Sequence, residues 1–201
     1  MHNQIKARIE AEFINAGMPS NDNWYTVANE DVRRLATKHS IAFNTCAAIV
    51  AALSPRIRWE TKNGKKTNLN AADTLITGYR HHDAKASVFS RVAGFDRNKR
   101  KAWDILRSGD PTLLSGDKVT SFYRNIVDPD DDSNITVDSW IISIALGLPI
   151  NTAKNNYIAT SKLYSIIRTA ILEVASYFGV SGTDLQATIW QNVKERSTIS
   201  Q

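Results

Sequence analysis

A single cysteine, Cys46, among 201 residues excludes an internal disulfide and a four-cysteine zinc or iron–sulfur site. Set in the small apolar run FNTCAAIVAAL, it reads as a core residue. The four histidines offer no ligand spacing, since His81 and His82 are adjacent while His2 and His39 stand far apart, so no metal is expected. No apolar run approaches the ~18 residues that cross a bilayer, and mean hydropathy is -0.31, so no membrane partner is expected. The N-terminal MHNQIKARIEAEFINAG is amphipathic and carries acids, unlike a secretory signal or an acid-poor transit peptide; a cytoplasmic location is the expectation. Gly-rich nucleotide loops, a Gly-x-Ser-x-Gly elbow and paired metal-binding carboxylates are absent, and no cofactor is called for. Asp128, Asp130, Asp132 and Asn134 begin like an EF-hand loop. Ser133 replaces its glycine and Ser139 its closing glutamate, which leaves a solvated acidic loop.

What the chain does have is positive charge, +5 overall with a pI near 9.3. The excess is clustered, with Arg56, Arg58, Lys62, Lys65 and Lys66 in one group and Arg97, Lys99, Arg100 and Lys101 in another. Such clusters are either solvated faces or the footprint of a polyanion.

Apolar residues recur at helical rather than strand spacing, and no internal repeat is present, which makes the class all-α. Helices are expected over residues 4–17, from a cap around Asn29 onward, and over 41–53, 69–79, 84–92 and 97–107. Gly17-Met18-Pro19 should end the first, Ser20 to Asn23 should form a connector, and Asn63-Gly64 marks a turn in an exposed basic loop. Toward the C-terminus, Asn151 to Asn156 reads as a polar lead-in to a helix over 160–178. A last helix, capped by Ser181 or Thr183, carries Leu185, Ile189, Trp190 and Val193 as its apolar stripe.

The stretch Leu113–Gly147 organises the rest. It reads as a helix hairpin turning at Ser115-Gly116-Asp117, then an acidic loop, then a helix opened by Val137-Asp138. Gly116 permits a tight turn, and amides at the start of the following helix suit a phosphate oxygen. Lys118 lies just past the turn, and Asp138 follows twenty positions later between the apolar Val137 and Trp140. Asp138 is either a helix cap or a carboxylate doing chemistry, roles that are compatible because both use a helix N-terminus.

Four segments in order resemble the helix-hairpin-helix DNA glycosylase superfamily. Ala51-Ala52-Leu53-Ser54-Pro55-Arg56 is similar to the helix end lining the base pocket, and Gly94-Phe95-Asp96-Arg97-Asn98-Lys99 to the Gly-Phe/Leu-Tyr-x-x-Lys-Ala segment. Leu114-Ser115-Gly116-Asp117-Lys118-Val119 resembles the hairpin Leu-Pro-Gly-Val-Gly-x-Lys, and Ile135-Thr136-Val137-Asp138-Ser139-Trp140 resembles Val-Pro-Val-Asp-Thr-His. The chain departs from the pattern in its shortened hairpin, in Ser139 and Trp140 after the aspartate, and in Pro55 and Arg56 in place of glutamines. LSGDKVTSFYRNI and LQATIWQNVKER also resemble the bacteriophage branch whose members hypermodify thymine without removing it.

The resemblance implies one glycosylase-like unit over 1–201 with two helical lobes around a central cleft, the first of about 1–45 and 148–201, the second, hairpin-bearing, of about 46–147. It implies double-stranded DNA with a flipped base as partner, and cleavage of the N-glycosidic bond of a modified, 5-substituted pyrimidine. Two alternatives stand: a phage-type transferase acting on 5-hydroxymethyluracil, in the host cytoplasm, or a DNA-binding protein without catalysis. Asp138 would balance charge on the sugar or activate water. Depending on hairpin register, Lys118 or Thr120 takes the position of the Schiff-base lysine that gives strand-cleaving lyase activity; Lys118 could equally hold phosphate. The enzyme reading expects Lys118 and Asp138 to face one another across a cavity for a nucleobase. Ser54, Arg56, Trp59, Phe122 and Trp140 are candidates for pocket or wedge, with a core role the alternative for Trp140. Ser115, Gly116, Thr120, Lys99, Arg100, Lys65 and Lys66 are candidates for phosphate.

Overall fold

A computed structural model describes residues 1–17, 24–61, 64–156 and 160–199. The connector expected at Ser20–Asn23, together with Met18-Pro19, Lys62 and Asn63, lies outside the described residues. The described residues form eleven α-helices, a 3-10 turn at Pro111–Leu113 and no strand; the protein is all-α. Among them no single helix is long and apolar enough to cross a membrane.

The helices are α1 (His2–Ala16), α2 (Trp24–Lys38), α3 (Phe43–Leu53), α4 (Thr67–Arg80), α5 (Lys85–Arg91), α6 (Asp96–Ser108), α7 (Asp117–Val127), α8 (Ser139–Leu146), α9 (Ile150–Asn156), α10 (Ser161–Phe178) and α11 (Gly182–Ile199). Two differ in kind from expectation. The second begins at Trp24, and Asn29 is not its cap but lies inside it, where its side-chain amide donates to the Ile126 carbonyl at 2.6 Å. Residues 150–156 are a helix, although INTAKNN shows no apolar period to announce one.

The chain divides into two compact units, one of Met1–Val27 with Pro129–Gln201, the other of Ala28–Asp128. The expected boundaries near 45 and 147 therefore move. Residues 28–45 belong to the middle unit, and residues 129–147 belong to the terminal unit.

In the middle unit α3 is the axis. Its residues Thr45 to Leu53 are all buried, and α4, α6 and α7 pack around it. A helix of small apolar residues suits this place because it lets neighbours approach on every side. Cys46 lies there, and burial, with the Asp73 charge second, pushes its thiol up to about 12.

In the terminal unit α1 packs against α8, α10 and α11. The shared core contains Ile5, Ile9, Phe13, Ile141, Ile167, Ile171 and Ile189. Phe13 meets Phe178 edge to ring at 5.2 Å. The segment before α8 is anchored at both levels. Ile135 and Val137 are buried in the core, while the Tyr164 hydroxyl donates to the Ile135 carbonyl at 2.6 Å and accepts from the Val137 amide at 3.2 Å. Gly182 allows the approach, since a Cβ there would lie 2.9 Å from Ile135 Cδ1 and 3.0 Å from the Asp132 carbonyl. The next residue after this anchored segment is Asp138.

Candidate functional site

The hairpin of the middle unit is α6, the 3-10 turn and α7. Gly109, left-handed at φ 73°, ends α6. Asp110 then caps the turn by accepting from the Thr112 amide at 2.8 Å, and its bonds to Thr112 hold its carboxyl below the usual range. Gly116 caps α7 with φ 88°, a backbone state that L side chains rarely adopt, and its Cβ position is open to solvent. The Thr120 amide donates to the Gly116 carbonyl at 3.0 Å, closing the first turn. Lys118 and Thr120 are half-buried on that turn, and exposed Ser115 accepts from the Lys101 ammonium.

The basic candidates separate into two kinds. Lys65 and Arg100 are exposed, as are Arg56, Arg58 and Arg97. Lys99 is only 8% exposed; its ammonium donates to the Phe89 carbonyl at 2.9 Å and to Asp96 at 3.2 Å, so it fastens α6 to α5 rather than meeting phosphate. Lys66 lies 2.8 Å from Glu60 and 3.5 Å from Asp31. Burial alone would lower its pKa, but those two carboxylates outweigh it and raise it. Neither lysine presents a bare charge. Residues 28–128 nevertheless hold 18 Lys and Arg against 10 Asp and Glu, a net +8, whereas the rest of the chain has 7 against 10, a net -3.

Of the pocket candidates, Trp59 and Phe122 are buried and meet edge to ring at 6.2 Å, so neither is a surface wedge. Ser54 is buried at the C-terminal end of α3, and its hydroxyl has no hydrogen-bond partner there. Arg56 is exposed and adopts φ 63°, rare for a side chain of its size. Its guanidinium lies 5.6 Å from the ring centre of Phe95, which is 44% exposed and has Arg97 at 5.5 Å. Trp140 is half-buried on the first turn of α8.

Asp138 belongs to the terminal unit, while Lys118 belongs to the middle one. Asp138 caps α8, its Oδ1 accepting from the Trp140 amide at 2.9 Å and the Ile141 amide at 3.1 Å. Its Oδ2 accepts from the indole N–H of Trp190 at 3.0 Å. Trp190 meets Trp24 edge to ring at 5.5 Å, and the Lys194 ammonium lies 3.7 Å from its ring centre. Beside them the Tyr25 hydroxyl donates to buried Gln186 at 2.6 Å. A carboxylate accepts at about four lone-pair sites, so three N–H donors fix this one as an oriented negative charge.

Trp24, Trp190 and Lys194 are absent from the residues the sequence singles out for chemistry. Trp190 reads there as apolar stripe, and the bond it makes spans 52 positions. The one usable signal is LQATIWQNVKER, which contains both Trp190 and Lys194.

Fold and site thus define an all-α protein with a basic helix hairpin and a capped, indole-bound aspartate. The chain belongs to a family of unknown function, DUF7178, matched over residues 4–197. No curated protein and no solved structure matches it.

Proposed function

We propose that this protein is a DNA base-flipping enzyme of glycosylase type that cleaves the N-glycosidic bond of a modified base, with Asp138 as its essential carboxylate. The observation that carries the reading is the state of that carboxylate. It is half-buried, held at a helix N-terminus and bonded by three N–H donors. With most of its acceptor capacity committed, it suits stabilisation of positive charge on the departing sugar better than abstraction of a proton from water. The basic middle unit supplies sequence-independent attraction to phosphates, and the glycine-capped start of α7 suits one phosphate oxygen. Lys118, on that first turn, either holds phosphate or gives lyase activity.

Incubation with duplexes bearing uracil, 5-hydroxymethyluracil, oxidised or alkylated bases tests the reading. Release of one free base by the wild type and far slower release by Asp138→Asn is the expected result, and intact duplexes throughout despite tight binding would exclude it. One observation favours a second reading, a transferase that decorates a 5-substituted thymine. One of the two segments that resemble that phage branch, LQATIWQNVKER, brings Trp190 to Asp138 and sets Lys194 over the Trp190 ring. A new thymidine adduct in nucleosides from DNA co-expressed with the protein supports this alternative, and unaltered nucleosides count against it.

A further inference from the structure

We infer that Trp190 is the positioning residue of Asp138, fixing the plane of its carboxylate so that the charge faces one direction. The inference rests on the proposed role of Asp138. The helix-end amides hold only Oδ1. Turning about the Cβ–Cγ bond moves both oxygens together, and bonds to Oδ1 alone tolerate a spread of such angles, so capping by itself restrains the carboxylate plane only loosely. The bond from Trp190 Nε1 to Oδ2 at 3.0 Å removes that freedom.

Trp190 is itself held. It packs against the core of the terminal unit from α11, and Trp24 lies against it at 5.5 Å. The Lys194 ammonium, 3.7 Å from the ring centre, attracts the π electrons. Drawing electron density from the indole makes its N–H a stronger donor, so Lys194, over the ring face, reinforces the bond to Asp138. A merely apolar residue at this place would need the ring and not the nitrogen. The geometry uses both.

The decisive comparison replaces one atom. Site-specific benzothienylalanine at position 190 keeps the shape of the indole but has sulfur in place of N–H, and 5-fluorotryptophan keeps the N–H. With a duplex that the wild type processes, the sulfur analogue should lower kcat by roughly tenfold to hundredfold, the range for a hydrogen bond to a charged group, with KM unchanged. The fluoro analogue should remain within about twofold of wild type. Trp190→Phe should show the same kcat loss if its melting curve matches the wild type. Unchanged kcat in the sulfur analogue, or equal losses in both analogues, would overturn the inference. If no duplex is processed, the proposed function fails by itself and the positioning role is read by NMR. The Trp190 indole N–H should resonate downfield in the wild type, and the Asp138 carboxyl 13C signal should shift in the sulfur analogue, which lacks that donor. Identical spectra would overturn it.

Discussion

The two units divide the charge of the molecule unevenly, and they use polar groups differently. Residues 28–128, at net +8, leave Arg56, Arg58, Lys65, Arg97 and Arg100 on the surface. The terminal unit, at net -3, instead commits the Asp138 carboxylate to backbone amides and an indole. A surface charge attracts a partner at a distance and tolerates imprecision, whereas a carboxylate with three fixed donors has lost its mobility and gained a direction. The difference teaches that affinity and chemistry are to be sought in different residues. Substitutions should separate them.

The largest expected effect is on turnover. Asp138→Asn preserves the cap, since asparagine is as good an N-cap as aspartate, but removes the charge and sets an amide NH2 against the Trp190 N–H. Base release should fall on the order of 10²–10³-fold with DNA affinity nearly unchanged, while loss of the bond from Trp190 lowers the melting temperature modestly. Equal losses of affinity and rate would dissolve the separation.

Next comes stability of the terminal unit. Ile171 is fully buried in its core, and Ile171→Ala should cost about 3 kcal/mol in denaturant unfolding. A loss below ~1 kcal/mol would show that this core does not hold the Asp138 segment as described.

The third effect concerns DNA affinity. Neutralising Arg97 and Arg100 should weaken binding of all sequences alike and reduce the salt slope by about 0.9 for each phosphate contact removed. The same change at Lys6 and Lys162 in the terminal unit should leave the slope unaltered. A reversed pattern, read from binding isotherms at several salt concentrations, would place the polyanion footprint on the wrong unit.

A smaller effect appears in the pH dependence of folding. Asp73 accepts from Lys38 at 2.8 Å and from the ring nitrogen of buried His39. Partial burial raises its pKa, but bonds to Lys38 and then His39 outweigh that and leave it lowered. A lowered folded-state value contributes stability that is present above the unfolded carboxylate pKa of about 3.9 and is lost as pH falls through the folded value. Asp73→Asn should therefore be less stable than wild type at neutral pH, and the gap should close in acid. A gap that widens in acid would contradict this arrangement. The smallest effect is chemical: with its thiol pushed up to about 12, Cys46 should resist alkylation at neutral pH until the middle unit unfolds.

Much of the fold was legible because apolar spacing survives inspection one helix at a time. α1 and α10 follow such stripes, α3 shows as an unbroken run of small apolar residues, and Asp138 before an apolar run announces its own capping role. The remaining features depend on distant contacts. Asn29 looks like a cap until its amide is seen to satisfy the carbonyl of Ile126, almost a hundred residues away. α9 has no stripe to read. Lys99 counts as positive charge in a basic run, yet the Phe89 carbonyl and Asp96 turn it inward; the acid three positions earlier was a local hint of this. Trp59 and Phe122 are aromatic enough for a wedge, but they bury one another. Charge and residue type can be counted along a chain, whereas direction is decided by partners the count does not contain.

The most direct test is to measure DNA binding and base release for wild type and Asp138→Asn side by side on one panel of modified duplexes. The account predicts matching dissociation constants for the two proteins, with free base released on the order of 10²–10³-fold more slowly by the variant. Release by Asp138→Asn at the wild-type rate would contradict it.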